Sequence, residues 1–342
     1  MTETTPSLKF YPYYRLAFLT NGGSKDLSYF SFPRDLKDSS KFGDLACDIT
    51  IAKNEQGLFS SLGLTIYNLN GQHRGSLFKE PYYITKDELE NSFMRVALEL
   101  GYLTETGKEP LKWVGDIRQS SSYKVGDNIA TELVADQIGY IQDNCFIQLN
   151  INKGDKLSNV FEKKLSLFIK EADYTKHIQR LATTKTGQDI TEFFLDAGLK
   201  IRTCFKKDYT FTKSKVLNDK FTNIVDYLRS YIPGSKKALI KNELWIYDDE
   251  KNLNKKTQSS ILIDFSTGLQ STPRVYGQRI TLTTLFEPYI DIADKVEVKS
   301  LILPKINGDY SVVGYTHRLT LGSGTRSQAI TSLNLKRENI EG

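Results

Sequence analysis

The three histidines, His73, His177 and His317, are the side chains best suited to proton transfer or metal binding near neutral pH, and they lie far apart on different elements. No HxxxH pair and no His/Cys cluster has the spacing of a zinc site. His317 follows Tyr315-Thr316 in a strand-like run, where an outward, solvent-facing position is expected. Cys47, Cys145 and Cys204 form no CxxC and read as buried thiols in a reducing compartment, not as a disulfide framework. No GxSxG elbow occurs. Gly322-Ser323-Gly324 reads as a turn between strands, and with Arg326 it makes a weak anion nest at most. Phosphate-cradling GxxxxGKS/T and GxGxxG loops are absent from any strand–helix setting. Glycoside hydrolysis needs two carboxyl groups about 5–10 Å apart. Asp116 with Glu132, and Asp136 with Asp143, are available, but nothing in the sequence turns either pair toward a cleft. The expectation is a protein without catalytic, cofactor-binding or metal-ligating residues, whose function is its surface and its assembly.

The elements around these residues are mostly strands. The chain has 342 residues, enough for two or three domains with real cores. Lys plus Arg is 46 and Asp plus Glu is 41, so the net charge is +5, too mild to bind nucleic acid by bulk charge alone. The basic pairs Lys163-Lys164, Lys206-Lys207, Lys236-Lys237 and Lys255-Lys256 lack aromatic interleaving and read as solvated faces. Aromatics are 11% and Tyr far outnumbers Trp, which favours sheet. The N-terminus lacks the basic start and apolar core of a signal peptide, and no apolar run reaches the ~18 residues of a membrane span. Synthesis and folding in a cytoplasm follow as the expectation.

Residues 1–151 read as a first β block. Lys9–Leu19 is aromatic-rich, with Tyr11, Tyr13, Tyr14 and Phe18, and Asn21-Gly22-Gly23 signals a turn. Asp44–Lys53 and Leu62–Leu69 alternate with period 2, placing Leu45, Cys47, Ile49 and Ile51, then Leu62, Leu64 and Ile66, on single faces. Thr85–Glu99 has a capping box (Thr85, Glu88), then Leu89, Phe93, Val96, Ala97 and Leu100 at helical spacing before Gly101, and predicts a helix within an insertion near 80–108. Trp113–Ile117, Ser122–Lys124, Ile129–Ala135 and Ile138–Ile141 read as strands, and Cys145–Ile151 closes the block.

Residues 152–259 read as small α+β modules and a linker. Asp155 caps a helix whose face is Leu157, Val160, Phe161, Leu165, Phe168, Ile169 and Ala172. Further helices are expected over Asp189–Ala197 and Asn218–Tyr231, the latter ended by Pro233-Gly234. A strand is expected over Lys200–Phe205, and a hairpin from Ala238–Ile240 to Leu244–Tyr247. Asp248–Ser259 is a polar linker or loop. Residues 260–342 return to strands at Ile261–Phe265, Gln278–Leu285, Lys295–Leu303, Gly308–Tyr315 and Ala329–Leu335.

Two stretches resemble bacteriophage tail baseplate hub proteins. The first is Asp48–Leu77, where Thr65-Ile66-Tyr67-Asn68-Leu69-Asn70 followed by Arg74 looks like the family's strand and polar turn, continued by Trp113-Val114-Gly115-Asp116-Ile117. The second is C-terminal. Gly268–Val275, Ile280–Pro288, Asp294–Val298 and Ile306-Asn307-Gly308-Asp309-Tyr310, followed by Thr316-His317, stand in the family's order, and Ser332–Leu335 fits its closing strand. The chain departs from the pattern in the 80–108 insertion and in having Arg318-Leu319 after His317.

The resemblance implies a mainly β fold: two tail-tube-like β-barrel domains with small helix–strand modules between them. It implies a homotrimeric, pseudo-six-fold ring in the virion baseplate, assembled in the host cytoplasm. That ring joins the tail tube, or a tube initiator, to a central spike and touches other baseplate proteins. DNA and the tape-measure protein pass through without specific binding, and the middle modules decorate the outside or meet the spike. Tyr67, Asn68, Leu69, Arg74, Gly115, Asp116, Asn307, Gly308, Tyr310 and His317 carry the structural signature. Two other readings of the residues stand beside it. One is an OB-like module binding oligosaccharide or single-stranded nucleic acid, with Tyr11, Tyr13, Tyr14 and Arg15 as the nearest aromatic-basic face. The other is a tail-associated cell-wall hydrolase.

Overall fold

The computed structural model describes residues 11–19, 28–32, 45–55, 60–71, 74, 95–103, 110–137, 146–167, 200–240, 243–249, 252–253, 260–322 and 328–337. The fold is mainly β, with few and short helices. The first block contributes β1 (Pro12–Leu19), β2 (Ser28–Phe32), β3 (Cys47–Asn54), β4 (Ser61–Tyr67), β5 (Arg95–Tyr102), β6 (Leu111–Val125) and β7 (Asn128–Asp136). The middle contributes β8 (Phe146–Ile151), a short helix α1 (Leu157–Asn159) that widens into a π turn (Val160–Leu165), β9 (Lys200–Cys204), β10 (Lys215–Lys220), α2 (Phe221–Arg229), β11 (Lys236–Ile240) and β12 (Glu243–Tyr247). The last block holds β13 (Ser260–Ile263), β14 (Arg274–Tyr276), β15 (Arg279–Leu285), β16 (Lys295–Val298), β17 (Gly308–Leu321) and β18 (Gln328–Arg337).

One hydrogen-bonded path runs β14-β15-β18-β17-β3-β4-β7-β6-β5-β1-β2, and β16 on β17 carries β13. The two β blocks therefore meet inside a single sheet, through the antiparallel pair β17–β3 from Gly314↔Asn54 to Leu321↔Cys47. β17 changes neighbours along its length. Its first residues pair with β16, and it crosses to β3 at the irregularity between Val312 and Gly314. Glycine suits that crossing, because a Cβ on Gly314 would stand 3.3 Å from the Lys53 carbonyl oxygen. The alternation read in the sequence holds in β3 and β4, whose inward residues are Cys47, Ile49, Ile51, Leu62, Leu64 and Ile66.

A small three-stranded sheet, β11-β12-β9, lies between two cores. Its period-2 alternation is apolar on both faces. Cys204, Ala238, Ile240, Trp245 and Tyr247 pack into the large β core. Ile201, Leu239, Leu244 and Ile246 face a second core with Phe161, Phe221, Val225 and Leu228.

Several expectations change. Arg95–Tyr102 is a strand, not the end of a helix; the rest of the expected helix lies outside the described residues. The helical spacing of Val96, Ala97 and Leu100 is overridden because β5 is an interior strand between β1 and β6, where every position from Val96 to Tyr102 is buried. β8 does not close the first block. It pairs with β10, and Ile147, Leu149 and Ile151 alternate into the second core. Asp155 caps no helix; it accepts the Asn152 N–H at 2.7 Å and the Lys164 ammonium at 2.6 Å, and these hold its carboxyl below the usual range. Asn218–Lys220 end a strand, so α2 begins only at Phe221. The Asp189–Ala197 helix, the Ile138–Ile141 strand, Cys145 and Asp143 lie outside the described residues.

Packing around β6 makes one position sensitive. A Cβ at Gly115 would lie 2.3 Å from the Trp113 ring and 2.7 Å from the Asp136 carbonyl oxygen. Gly115→Ala is expected to lower unfolding stability by about 1–3 kcal/mol, as overpacking does. Gly63→Ala, whose methyl meets only Thr50 Cβ at 4.0 Å, should stay within about 0.5 kcal/mol of wild type in the same urea titration.

Candidate functional site

Where β17 joins the blocks, polar groups are buried together. Lys53 at the end of β3 donates from Nζ to Asp291 Oδ1 at 2.7 Å, and its side chain is 5% exposed. Asp294, fully buried, accepts the Asp291 N–H at 2.8 Å. Tyr315 stands opposite Lys53 in the register, and burial, with Asp291 and Asp294 nearby, pushes its phenol well above the ordinary value. His317 is not outward-facing: it is completely buried. Its ring lies 4.5 Å from Tyr315 and 5.2 Å, edge-on, from Phe286. Nδ1 meets the Thr331 hydroxyl at 2.8 Å, and that hydroxyl also accepts the Glu287 N–H at 2.8 Å. Nε2 has no hydrogen-bond partner among the described residues. Burial, and then the Lys53 charge, lower the His317 pKa to about 3, so the ring is neutral at neutral pH. His317 shares the inward alternation of Tyr315, Leu319 and Leu321, while Arg318 between them is exposed, so the outward expectation placed it on the wrong face.

Further contacts tie the same junction. The Tyr102 hydroxyl donates to the Phe286 carbonyl at 3.1 Å, linking β5 to the end of β15. Glu55 accepts Arg279 at 3.0 Å and stands 3.9 Å from Lys236, so one carboxylate touches the last block and the middle module. No sequence signal marks such pairs, since Lys53 and Asp291 are 238 residues apart.

The signature residues fall at two ends of the sheet and at its centre, and do not converge on one pocket. Tyr67 closes β4 and donates to Asp48 Oδ2 at 2.7 Å, which lifts its pKa to about 12. Asn68, at φ +58°, exchanges hydrogen bonds with Ile129 and donates to Asn128. Leu69 is buried in the core, and the Arg74 N–H donates to the Asn70 carbonyl. Gly115 and buried Asp116 lie in β6. At the other end, Asn307 accepts the Ser300 N–H at 2.7 Å, Gly308 (φ +144°) opens β17, and the buried Tyr310 hydroxyl donates to Ile306 at 2.6 Å. From Tyr310 to Leu321 β17 covers about 36 Å at the usual ~3.3 Å per residue.

Among the described residues the candidate pair Asp116 and Glu132 is not brought together, and Asp143 lies outside them. Asp116 sits opposite Asp136, and Glu132, four positions along β7, is exposed and accepts the Tyr123 hydroxyl. Of the candidate aromatic-basic residues at β1, Tyr14 is fully buried and donates to the Leu45 carbonyl, Tyr13 is half-buried and donates to Glu99 beside Arg15, and Tyr11 and Arg15 are exposed. Burial raises the Cys47 thiol to about 12, which makes it inert.

One known structure shares this fold. A tail protein from Neisseria meningitidis MC58 superposes with a TM-score of 0.52 at 10% identity, covering 95% of this chain and 96% of its own. That likeness is one of fold. The 43 kDa tail protein of prophage MuSo2 from Shewanella oneidensis gives 0.49 at 8% identity over 95% and 98% of the two chains. A chain of the half-lidded Francisella PdpA-VgrG complex gives 0.48 at 8% identity over 96% of this chain and 58% of that one. No curated protein matches the sequence. Residues 170–323 match the family model described as baseplate hub gp41, which bears out the resemblance to the phage baseplate hub family.

Two measurements probe the junction. Because the folded His317 pKa lies below its ordinary 6.5, the unfolded chain binds the extra proton, so stability falls as pH drops from 6.5 toward 3 and is unaffected above that window. Between pH 6.5 and 4.5 wild type should lose about 2–3 kcal/mol relative to His317→Asn, read from urea midpoints. Lys53→Met, which takes the buried cation away from Asp291, should cost about 3–5 kcal/mol, and Lys53→Met with Asp291→Leu should recover most of it.

Proposed function

We propose that this chain is the structural hub of a phage tail baseplate, three copies forming a pseudo-six-fold ring that joins the tail tube to a central spike. The match of residues 170–323 to a baseplate hub family carries the reading. The sheet supports it: two β blocks are locked to one another through β17 and β3, so one chain presents two tube-like units and three chains present six. The first and last blocks act as those units, and the middle module braces them. The signature residues serve as turn and strand-end anchors, which agrees with their hydrogen bonds to nearby backbone and neighbouring strands.

In this reading the protein is not an enzyme and holds no cofactor. Its partners are its own copies, the tube or tube-initiator protein, the spike and other baseplate proteins, with DNA and the tape-measure protein passing through the ring. It is assembled in the host cytoplasm and resides in the virion tail.

Light scattering after size exclusion tests this directly. The expected mass is near three times 38.9 kDa, with ring-shaped particles in negative stain of the same peak. A chain that stays monomeric even when mixed with the tube and spike proteins of its own tail overturns the ring.

A further inference from the structure

Opposite ends of the sheet carry surfaces of opposite character. At the β17 start, a groove of about 600 Å³ is floored by Ile280, Ile306 and Tyr310. Lys305 and Arg337 stand in its wall, and none of the described residues lining it is a carboxylate. Beside it Leu301 is 86% exposed and Ile302 72% exposed, more apolar surface than an isolated solvent-facing loop explains. The neighbouring strand β14 is hydrogen-bonded only to β15 among the described residues, which leaves a sheet edge open there.

At the other end the β6–β7 hairpin leaves the sheet. β6 pairs with β5 only as far as Asp116, and β7 pairs with β4 only from Ala130 onward. Asn68 still holds Asn128 and Ile129, and beyond them the tip around Gly126 projects as a two-stranded ribbon. Paired positions place Tyr123, Val125 and Glu132 on one face of it, with Asp127 in the turn. Val125 and Tyr123 are both over two-fifths exposed, and the Tyr123–Glu132 hydrogen bond stiffens the ribbon.

We propose that the β6–β7 tip of one copy docks in the Lys305–Arg337 groove of the next copy, Val125 entering the apolar floor and Asp127 facing the two cations. Charge complementarity selects a second copy: Lys124 points to the opposite face of the ribbon, so the face with Val125 and Glu132, ending at Asp127, is apolar and carboxylate-bearing and meets an apolar, cation-walled groove. Because tip and groove are different surfaces at opposite ends, the contact is head-to-tail, the type that closes into a ring when its rotation permits. This assignment rests on the ring reading above and names the surface that forms it.

A charge-swap experiment on the full-length chain decides it. Asp127→Lys and Lys305→Glu should each weaken association at least about tenfold, and the double variant should recover most of that loss. Ile302→Asp should weaken association with no fall in thermal midpoint, since the side chain is 72% exposed. An oligomer indifferent to all of these substitutions overturns the contact and leaves the ring intact. A wild-type chain that associates neither alone nor with its tail partners overturns both.

Discussion

The antiparallel pairing of β17 with β3 is the constraint on which the rest of the molecule depends. It joins residues from the two ends of the chain and makes two β blocks one hydrogen-bonded surface. Lys53 and Asp291 secure it from within. A buried ion pair adds little net stability over apolar replacements, because desolvation offsets the attraction. Its strength is specificity: a β17 shifted by one residue would put Tyr315 and His317 on the wrong face and leave Lys53 without its carboxylate. Register at the junction is thus enforced electrostatically as well as by packing.

The middle module depends on the same junction. Both faces of its sheet carry buried apolar residues, so it folds against the β core rather than beside it. Glu55 adds a polar tie at the seam, reached by Arg279 from β15 and approached by Lys236 from β11. The three segments read as a β block, a mixed block and a second β block share walls, and the long sheet is the frame that aligns them.

Much of the fold was legible in residue periodicity. β3 and β4 alternate cleanly because only one of their faces is apolar, and the hairpin β11–β12 showed in its apolar runs. Reading failed where burial is two-sided. β5 reads VALELGY, an apolar run compatible with helical spacing, and only its neighbours β1 and β6 make it a strand. β8 alternates correctly, yet alternation does not name a partner, so its pairing with β10 was invisible. The outward expectation for His317 failed for a different reason: a polar residue in a strand is expected to face solvent, yet His317 keeps the inward alternation of Tyr315, Leu319 and Leu321 and is covered by Phe286 and Thr331. The signature residues were found as motifs, but their separation to opposite ends of the sheet is a property of β17's length, which local patterns do not encode.

The two-sided burial of β11-β12-β9 bears on how such a chain can vary. Trp245 and Tyr247 belong to one core while Leu244 and Ile246 belong to the other, on adjacent residues of one strand. Removing the module would uncover a large aromatic area on the β core, and grafting a different module would have to reproduce both faces at once. Among the described residues, freedom to diversify lies on the outward sides of α2 and of the β8–β10 pair, where Asp226, Tyr227, Phe146 and Val216 face solvent. The module is a party wall between two rooms: its plaster can change on the street side, but neither room survives its removal.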